Sequence, residues 1–217
     1  MTTSLTSTGI QFNDGTVNPA ASRNMGKLIS INAWTTAGTY TWTKPTDCTK
    51  VLVQVQGAGG GGCSYSESGG AGGYSERLID VTGVSSVTVT VGAGGANVGY
   101  YAAAGNGGSS SFGSYATATG GYGANQNVGH TGGQSGVGSS GNINLTGGGG
   151  TGHQNTGGSA IGIGGKSYFG SGYKASHSNN TSNLGYTNPG AGGPGGRDSG
   201  YVGSYGGPGA VIVYNYS

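Results

Sequence analysis

Apolar and polar residues alternate in a series of short stretches, and nowhere do apolar residues recur at the spacing of a helix. Lys27-Leu-Ile-Ser-Ile31 and Gly38-Thr-Tyr-Thr-Trp-Thr-Lys44 alternate at period two, the repeat of a strand with one buried face. Pro45-Thr-Asp47 reads as a turn. Lys50 to Gln56 follows, with Val51, Val53 and Val55 on one face. Arg77-Leu-Ile-Asp-Val81 and Ser86-Val-Thr-Val-Thr-Val91 add two strands, and Ala210-Val-Ile-Val-Tyr-Asn-Tyr216 supplies a closing one. Glycine and β-branched residues both disfavour helix. The expected fold is therefore all-β, a small β-sandwich scaffold whose last strand returns after a long insertion.

A shorter pattern comes first. Ile10 and Phe12 alternate with polar neighbours, Asp14-Gly15 signals a type I′ turn, and Val17 resumes the alternation. A hairpin this small is not stable alone, so Ile10, Phe12, Asp14, Gly15 and Val17 are read as an assembly element. Residues 1–33 become an N-terminal docking and oligomerisation segment. Residues 34–217 become a glycine-rich β domain, with strand scaffold at 34–95 and 206–217 and an insertion at 96–205.

Composition sharpens the view of that insertion. Of the 217 residues, 54 are glycine, and they cluster in blocks such as Gly57-Ala-Gly-Gly-Gly-Gly62 and Gly147-Gly-Gly-Gly150. A structureless loop of this length inside a compact domain is improbable. Ordering glycine costs about 1–2 kcal/mol per residue in backbone entropy, so a compensating network is required. Extended threefold helices point every N–H and C=O outward, and without Cβ atoms they can pack side by side and satisfy those groups on their neighbours. The insertion is expected to form packed polyglycine II helices joined by loops. Collagen's strict every-third glycine is absent.

Charge excludes several functions. Charged residues make up 6% of the chain and the net charge is +2, too little clustered Lys and Arg for nucleic acid. No apolar stretch is long enough to insert in a membrane. Met1-Thr-Thr-Ser-Leu-Thr-Ser lacks the basic flank and apolar core of a secretory leader, so synthesis in a cytoplasm is expected. No cofactor and no metal site are expected, since His130, His153 and His177 lie far apart. Gly57 to Gly62 matches G-x-G-x-x-G, yet Cys63-Ser-Tyr-Ser-Glu67 after it will not start the helix that pyrophosphate binding needs. Ala160-Ile-Gly-Ile-Gly-Gly-Lys166-Ser167 fails as a phosphate loop for the same reason. The six carboxylates show no acid–base spacing, and the protein is not expected to be an enzyme.

The segments between glycine blocks carry the aromatic residues. Tyr100 and Tyr101 stand together; Tyr168, Phe169, Tyr173, Lys174, His177, Asn179 and Tyr186 crowd a second segment; Arg197, Tyr201 and Tyr205 mark a third. Tyr, Ser, Gly and Asn are the residues of antibody paratopes, rigid rings among adaptable hydrogen bonders. These twelve are the candidate receptor-binding residues.

Ala37-Gly-Thr-Tyr-Thr-Trp-Thr-Lys-Pro45, Gly72-Gly-Tyr-Ser-Glu76, Val87-Thr-Val-Thr-Val-Gly-Ala-Gly-Gly95, Gly107-Gly-Ser-Ser-Ser-Phe-Gly113 and the ending Gly206-Gly-Pro-Gly-Ala-Val-Ile-Val-Tyr214 form an ordered set. Together they resemble the glycine-rich domain of bacteriophage tail fibre proteins. Gly9-Ile-Gln-Phe-Asn-Asp-Gly-Thr16 is similar to a short motif of phage fibres. The alternation of glycine blocks with other segments also resembles the distal tail-fibre adhesins of T-even-type phages, whose fold is a polyglycine II sandwich. The resemblance implies a virion tail protein that binds a bacterial surface receptor, either an outer-membrane protein or a surface polysaccharide. It also implies contacts with other phage tail proteins through the N-terminus, and a homotrimer is expected. The rival expectation is a structural tail component with no receptor contact.

Overall fold

The computed structural model of the chain describes residues 4–6, 9–11, 17–19, 26–99, 102–125, 131–152, 162–172, 188–196 and 202–217. Three short strands lead, β1 (Ser4–Thr6), β2 (Gly9–Gln11) and β3 (Val17–Pro19), and they form their own antiparallel sheet. The expected hairpin is thus present with one extra strand. Its register differs from a two-residue turn at Asp14-Gly15, which would set Phe12 against Val17, because Gln11 pairs with Val17. Phe12, Asp14 and Gly15 lie outside the described residues.

The scaffold consists of two five-stranded antiparallel sheets. One is built from β4 (Leu28–Trp34), β6 (Lys50–Gln56), β7 (Tyr74–Asp80), β12 (Ile143–Leu145) and β13 (Ala210–Tyr216), in the order β12-β7-β6-β13-β4. The other is built from β5 (Gly38–Thr43), β8 (Ser86–Val91), β9 (Ser110–Phe112), β10 (Ala116–Ala118) and β11 (Gly138–Ser139), in the order β11-β10-β9-β8-β5. The described residues contain no helix. The strands read from alternation all form, and the closing strand β13 sits between β6 and β4.

Period-two alternation places the core. Val51, Val53 and Val55 are fully buried with Val211, Val213 and Ile79 from one sheet, against Trp42, Val87, Val89, Phe112, Ala116 and Ala118 from the other. The Trp42 and Phe112 rings meet edge to face at 5.6 Å, an arrangement aromatic quadrupoles favour. Asn215 is buried among them and fully paired. Trp42 Nε1 donates to its Oδ1 at 3.0 Å, while its Nδ2 donates to Ser30 and Asn32. These bonds tie the two sheets together and fix the register of β13.

Two boundaries move. β4 pairs with β13 from Val211↔Trp34 to Tyr216↔Leu28, so the scaffold starts at residue 28 rather than 34. Four strands, β9 to β12, also lie within 96–205, so that stretch returns to the sheets repeatedly instead of standing apart as an insertion.

Candidate functional site

β6 leaves its sheet at Gln56 and continues into glycine. Residues 57–63 (run 1) and 67–73 (run 2) lie side by side, joined by the turn 64–66. Every amide of run 1 is bonded, and its partners change with a period of three. Gly57, Gly60 and Cys63 donate to Gly73, Gly70 and Glu67 of run 2; Ala58 and Gly61 donate to Gly108 and Gly105; Gly59 and Gly62 donate to Gly207 and Ser204. Acceptor numbers fall as donor numbers rise, so these neighbours are antiparallel. The carbonyls face three other neighbours, which run parallel. Ala58 and Gly61 accept from Gly121 and Ala124, Gly59 and Gly62 from Gly95 and Val98, and Gly60 and Cys63 from Gly193 and Gly196.

Glycine is required because the backbones touch. A methyl on Gly59 would stand 1.9 Å from the carbonyl oxygen of Ala191, and one on Gly60 would stand 2.1 Å from that of Tyr122.

Eight further runs surround this pair: run 3 (92–98), run 4 (104–108), run 5 (119–124), run 6 (132–136), run 7 (147–151), run 8 (162–166), run 9 (190–196) and run 10 (203–209). Consecutive runs are bonded to one another. Gly105 N donates to Ala96 O, Ala104 to Ala124, Tyr122 to Gln134, Gly150 to Gly133, Gly148 to Lys166, Gly192 to Gly165 and Ser204 to Pro194. Gly206 N then donates to Gly95 O, joining run 10 back to run 3 and closing the ring. Run 2 is enclosed as run 1 is, donating to runs 5, 7 and 9 and accepting from runs 1, 6 and 8. The chain therefore winds once around a central pair, in sequence order, with each ring run antiparallel to the next.

This winding sorts the connections between two ends. At the sandwich end lie β6, the β7–β8, β9–β10 and β11–β12 pairs, the described residues 167–172 and 188–189, and β13. At the opposite, distal end lies the turn 64–66, and the runs that flank 99–103, 125–131, 152–161 and 197–202 end there. Isolated bridges of Asn125 with Ala103 and Thr131 tie distal connections to each other.

Each end of the central pair carries a buried polar device. At the sandwich end, Gln56 is fully buried. Its Nε2 donates to Gly57 O at 3.2 Å and to Gly72 and Gly73 O at 2.9 Å, and its Oε1 accepts from Tyr168 N at 3.3 Å. Continuing the period of three would bring Gly190 N to Gly57 O and Tyr168 N to Gly72 O. Gly190 instead turns away at φ +76 and donates to Pro208 O. The Gln56 amide takes the place of the missing donors.

At the distal end, Tyr65 and Ser66 turn the chain with φ of 57 and 67, a left-handed conformation uncommon for residues with side chains. Ser64, Ser66 and Glu67 are buried, and Tyr65 is partly exposed. Cys63 Sγ donates to Glu67 Oε2 at 3.0 Å. Burial, and then the Glu67 carboxylate, push the Cys63 thiol well above its ordinary range, which removes it as a nucleophile.

Residues 35–216 match the model of the glycine-rich domain, a span that takes in both the sandwich and the array. The chain belongs to the glycine-rich domain family. Among curated proteins, none matches the chain.

Within this glycine-rich domain the sequence candidates separate. Tyr168 and Phe169 stand at the sandwich end, where Tyr168 stacks on Tyr74 at 3.9 Å. Tyr205 stands on the flank of run 10 and is exposed. Tyr100, Tyr101, Tyr173, Lys174, His177, Asn179, Tyr186, Arg197 and Tyr201 lie outside the described residues. In sequence, Tyr100 and Tyr101 fall between runs 3 and 4, and Arg197 and Tyr201 between runs 9 and 10. The other five fall between runs 8 and 9.

Tyr65 was missed by sequence reasoning; its one signal is the break between two glycine blocks. The phosphate-loop matches fold as glycine runs. Gly57 to Gly62 is the centre of the array, and Gly165 N is spent on Gly69 O. Cys48 and Cys63 are both free and buried. Among the described residues no group of His, Cys, Asp and Glu could hold a metal, and no helix is long and apolar enough to cross a membrane.

Proposed function

We propose that this glycine-rich domain is a bacteriophage tail adhesin whose ten runs form a polyglycine II lattice, with the distal connections as its receptor-contacting face. The observation that supports the lattice is the period of three in the hydrogen-bond partners of run 1. A threefold helix directs successive N–H groups 120° apart and makes no bonds within itself, so every third residue meets the same neighbour. The lattice gives the adhesin reading its physical basis. Five connections leave one end of a backbone-bonded array, and loops carried on a rigid frame are suited to recognition. The receptor is a bacterial outer-membrane protein or surface polysaccharide. The segment ahead of β4 attaches the domain to other tail proteins and supports a homotrimer, and the protein acts in the virion without catalysis.

Labelled full-length protein should bind cells of some strains in a bacterial panel. Changing Tyr100, Tyr101 and Tyr201 to Ala should weaken that binding at least tenfold, or about 1.4 kcal/mol, while Tyr122→Ala on the flank of the array leaves it unchanged. Full binding by the triple variant, or particles lacking the protein that adsorb normally and assemble poorly, would replace attachment with a structural role. Slow amide exchange across 57–63 and 67–73 is the corresponding expectation for the lattice.

A further inference from the structure

We propose that the cleft beside Tyr168 is a saccharide site taking one acidic pyranose ring, such as a uronic acid residue of a surface polysaccharide. The site is at the sandwich end and stands independently of the distal face.

Its floor is a fixed aromatic platform. Tyr74, almost wholly buried, stacks with Tyr168 at 3.9 Å and 17°, and Phe169 meets both rings edge-on, at 5.8 Å from Tyr74 and 5.2 Å from Tyr168. Tyr74 Oη donates to Glu76 Oε2 at 2.6 Å, and Gln54 Nε2 donates to the same oxygen. Tyr168 N is held by Gln56 Oε1, and Ser167 Oγ donates to Pro189 O at 2.6 Å. Neither ring is free to collapse, yet Tyr168 remains 55% exposed. An exposed ring on so constrained a support is a ready stacking surface.

The cleft next to it has a volume of about 160 Å³. A cavity of about 150 Å³ accommodates one benzene-sized ring, so the space suits a single six-membered ring. Leu145 and the Tyr74–Tyr168 pair supply apolar lining, Thr146 and Lys166 are polar lining residues, and Ser167, whose hydroxyl proton is given to Pro189 O, can offer its oxygen as an acceptor. A pyranose has the matching anatomy, with a face of C–H groups that lies on an aromatic ring and a rim of hydroxyls. Glu76 is turned to Tyr74 and Gln54, and among the described residues no carboxylate lines the cleft. Among the described lining residues Lys166 carries the one positive charge, which favours a sugar bearing an anion.

Saturation-transfer NMR on the full chain with methyl glucuronide and methyl glucoside tests this. Both should bind in about the millimolar range expected for one sugar ring, the glucuronide more tightly. Tyr168→Ala should lose both at least tenfold. Lys166→Met should lower glucuronide affinity to that of the glucoside and leave the glucoside unchanged. Absence of transfer to either sugar with the parent chain would overturn the proposal, as would binding that survives Tyr168→Ala with Trp42 fluorescence unaltered. The Tyr100, Tyr101 and Tyr201 variant should keep full sugar binding. A chain that binds glucuronide but no cell would defeat the attachment reading and leave this one standing.

Discussion

The sandwich and the array are held together in opposite ways. In the sandwich, cohesion comes from side chains: Val53, Val55, Val213 and Phe112 are fully buried between the sheets, and each buried methyl group contributes through apolar area removed from water. In the array, cohesion comes from their absence, since run 1 and run 2 approach their neighbours closely enough for backbone to meet backbone. One region is damaged by removing a methyl group and the other by adding one. Stability in a β protein can thus rest on two unrelated physical terms within a single chain.

The strongest break in that comparison is Gly60→Ala. The added methyl would lie 2.1 Å from Tyr122 O and 2.3 Å from its carbonyl carbon, and run 1 is bonded on all sides, so nothing nearby can give way. We expect a loss of more than about 4 kcal/mol, beyond the usual range for point substitutions, seen as failure to fold or as a collapse of the urea midpoint. A mild effect would mean that the central run is loosely held.

Gln56→Leu comes next. It keeps the volume but leaves Gly57 O and Gly72 O without a donor in a buried site, where each unsatisfied group costs about 1–3 kcal/mol. About 3 kcal/mol in all is expected from denaturant unfolding. Gln56→Glu should fail to rescue it, because the loss is of donors. Val53→Ala, the matching test in the sandwich, should cost about 2 kcal/mol through lost transfer energy and the cavity left behind. Amide exchange separates the two. Gln56→Leu should speed exchange in the array first, and Val53→Ala in the sheets first.

How much of this was legible in the sequence follows the same division. Alternation revealed β4 to β8 and β13 because side chains that point two ways leave a two-residue signature. The strands β9 to β12 have at most three residues each, too few for alternation to register. The glycine blocks announced close packing, since little else explains so many residues without side chains. The order of the ring was not legible, because backbone bonds between glycines leave no trace in residue type. Gln56 read as the last residue of a strand, and its role emerges only from the carbonyls it reaches.

Alkaline pH sharpens the comparison at smaller scale. Burial pushes up the Cys63 thiol, with its ordinary value of 9.0, and the Tyr74 phenol, with its ordinary value of 10.0; Glu67 and Glu76 respectively add to the rise. The folded state therefore holds these protons more tightly than the unfolded chain. Their contribution is complete below about pH 9 and falls as pH rises, because the unfolded state then binds fewer protons. Melting temperature should decline from pH 9 onward. Burial also raises the Cys48 thiol, so Cys63→Ala should make the decline above pH 9 shallower. Cys48→Ala with Cys63→Ala should delay its onset toward pH 10, where the Tyr74 part begins. An unchanged profile in the double variant would show that the thiols are not buried in solution.

The smallest effect expected comes from Gly83→Ala, the same chemical change as the largest. Gly83 lies in the turn between β7 and β8, closed by Val84 N donating to Val81 O. A Cβ there meets nothing within 4 Å, and its φ is not in the left-handed range. Alanine should fit without strain and restrict the unfolded chain, a gain of about 0.4–1 kcal/mol. In a domain of this size that raises the melting temperature by about 1–4 °C. Gly60→Ala and Gly83→Ala alter the unfolded ensemble in nearly the same way, so the difference between them measures the folded state alone. A stabilising Gly83→Ala beside a ruinous Gly60→Ala would assign the cost to backbone contact in the array. A comparable loss at both positions would assign it to a general demand for flexible chain, and the contact argument would fail.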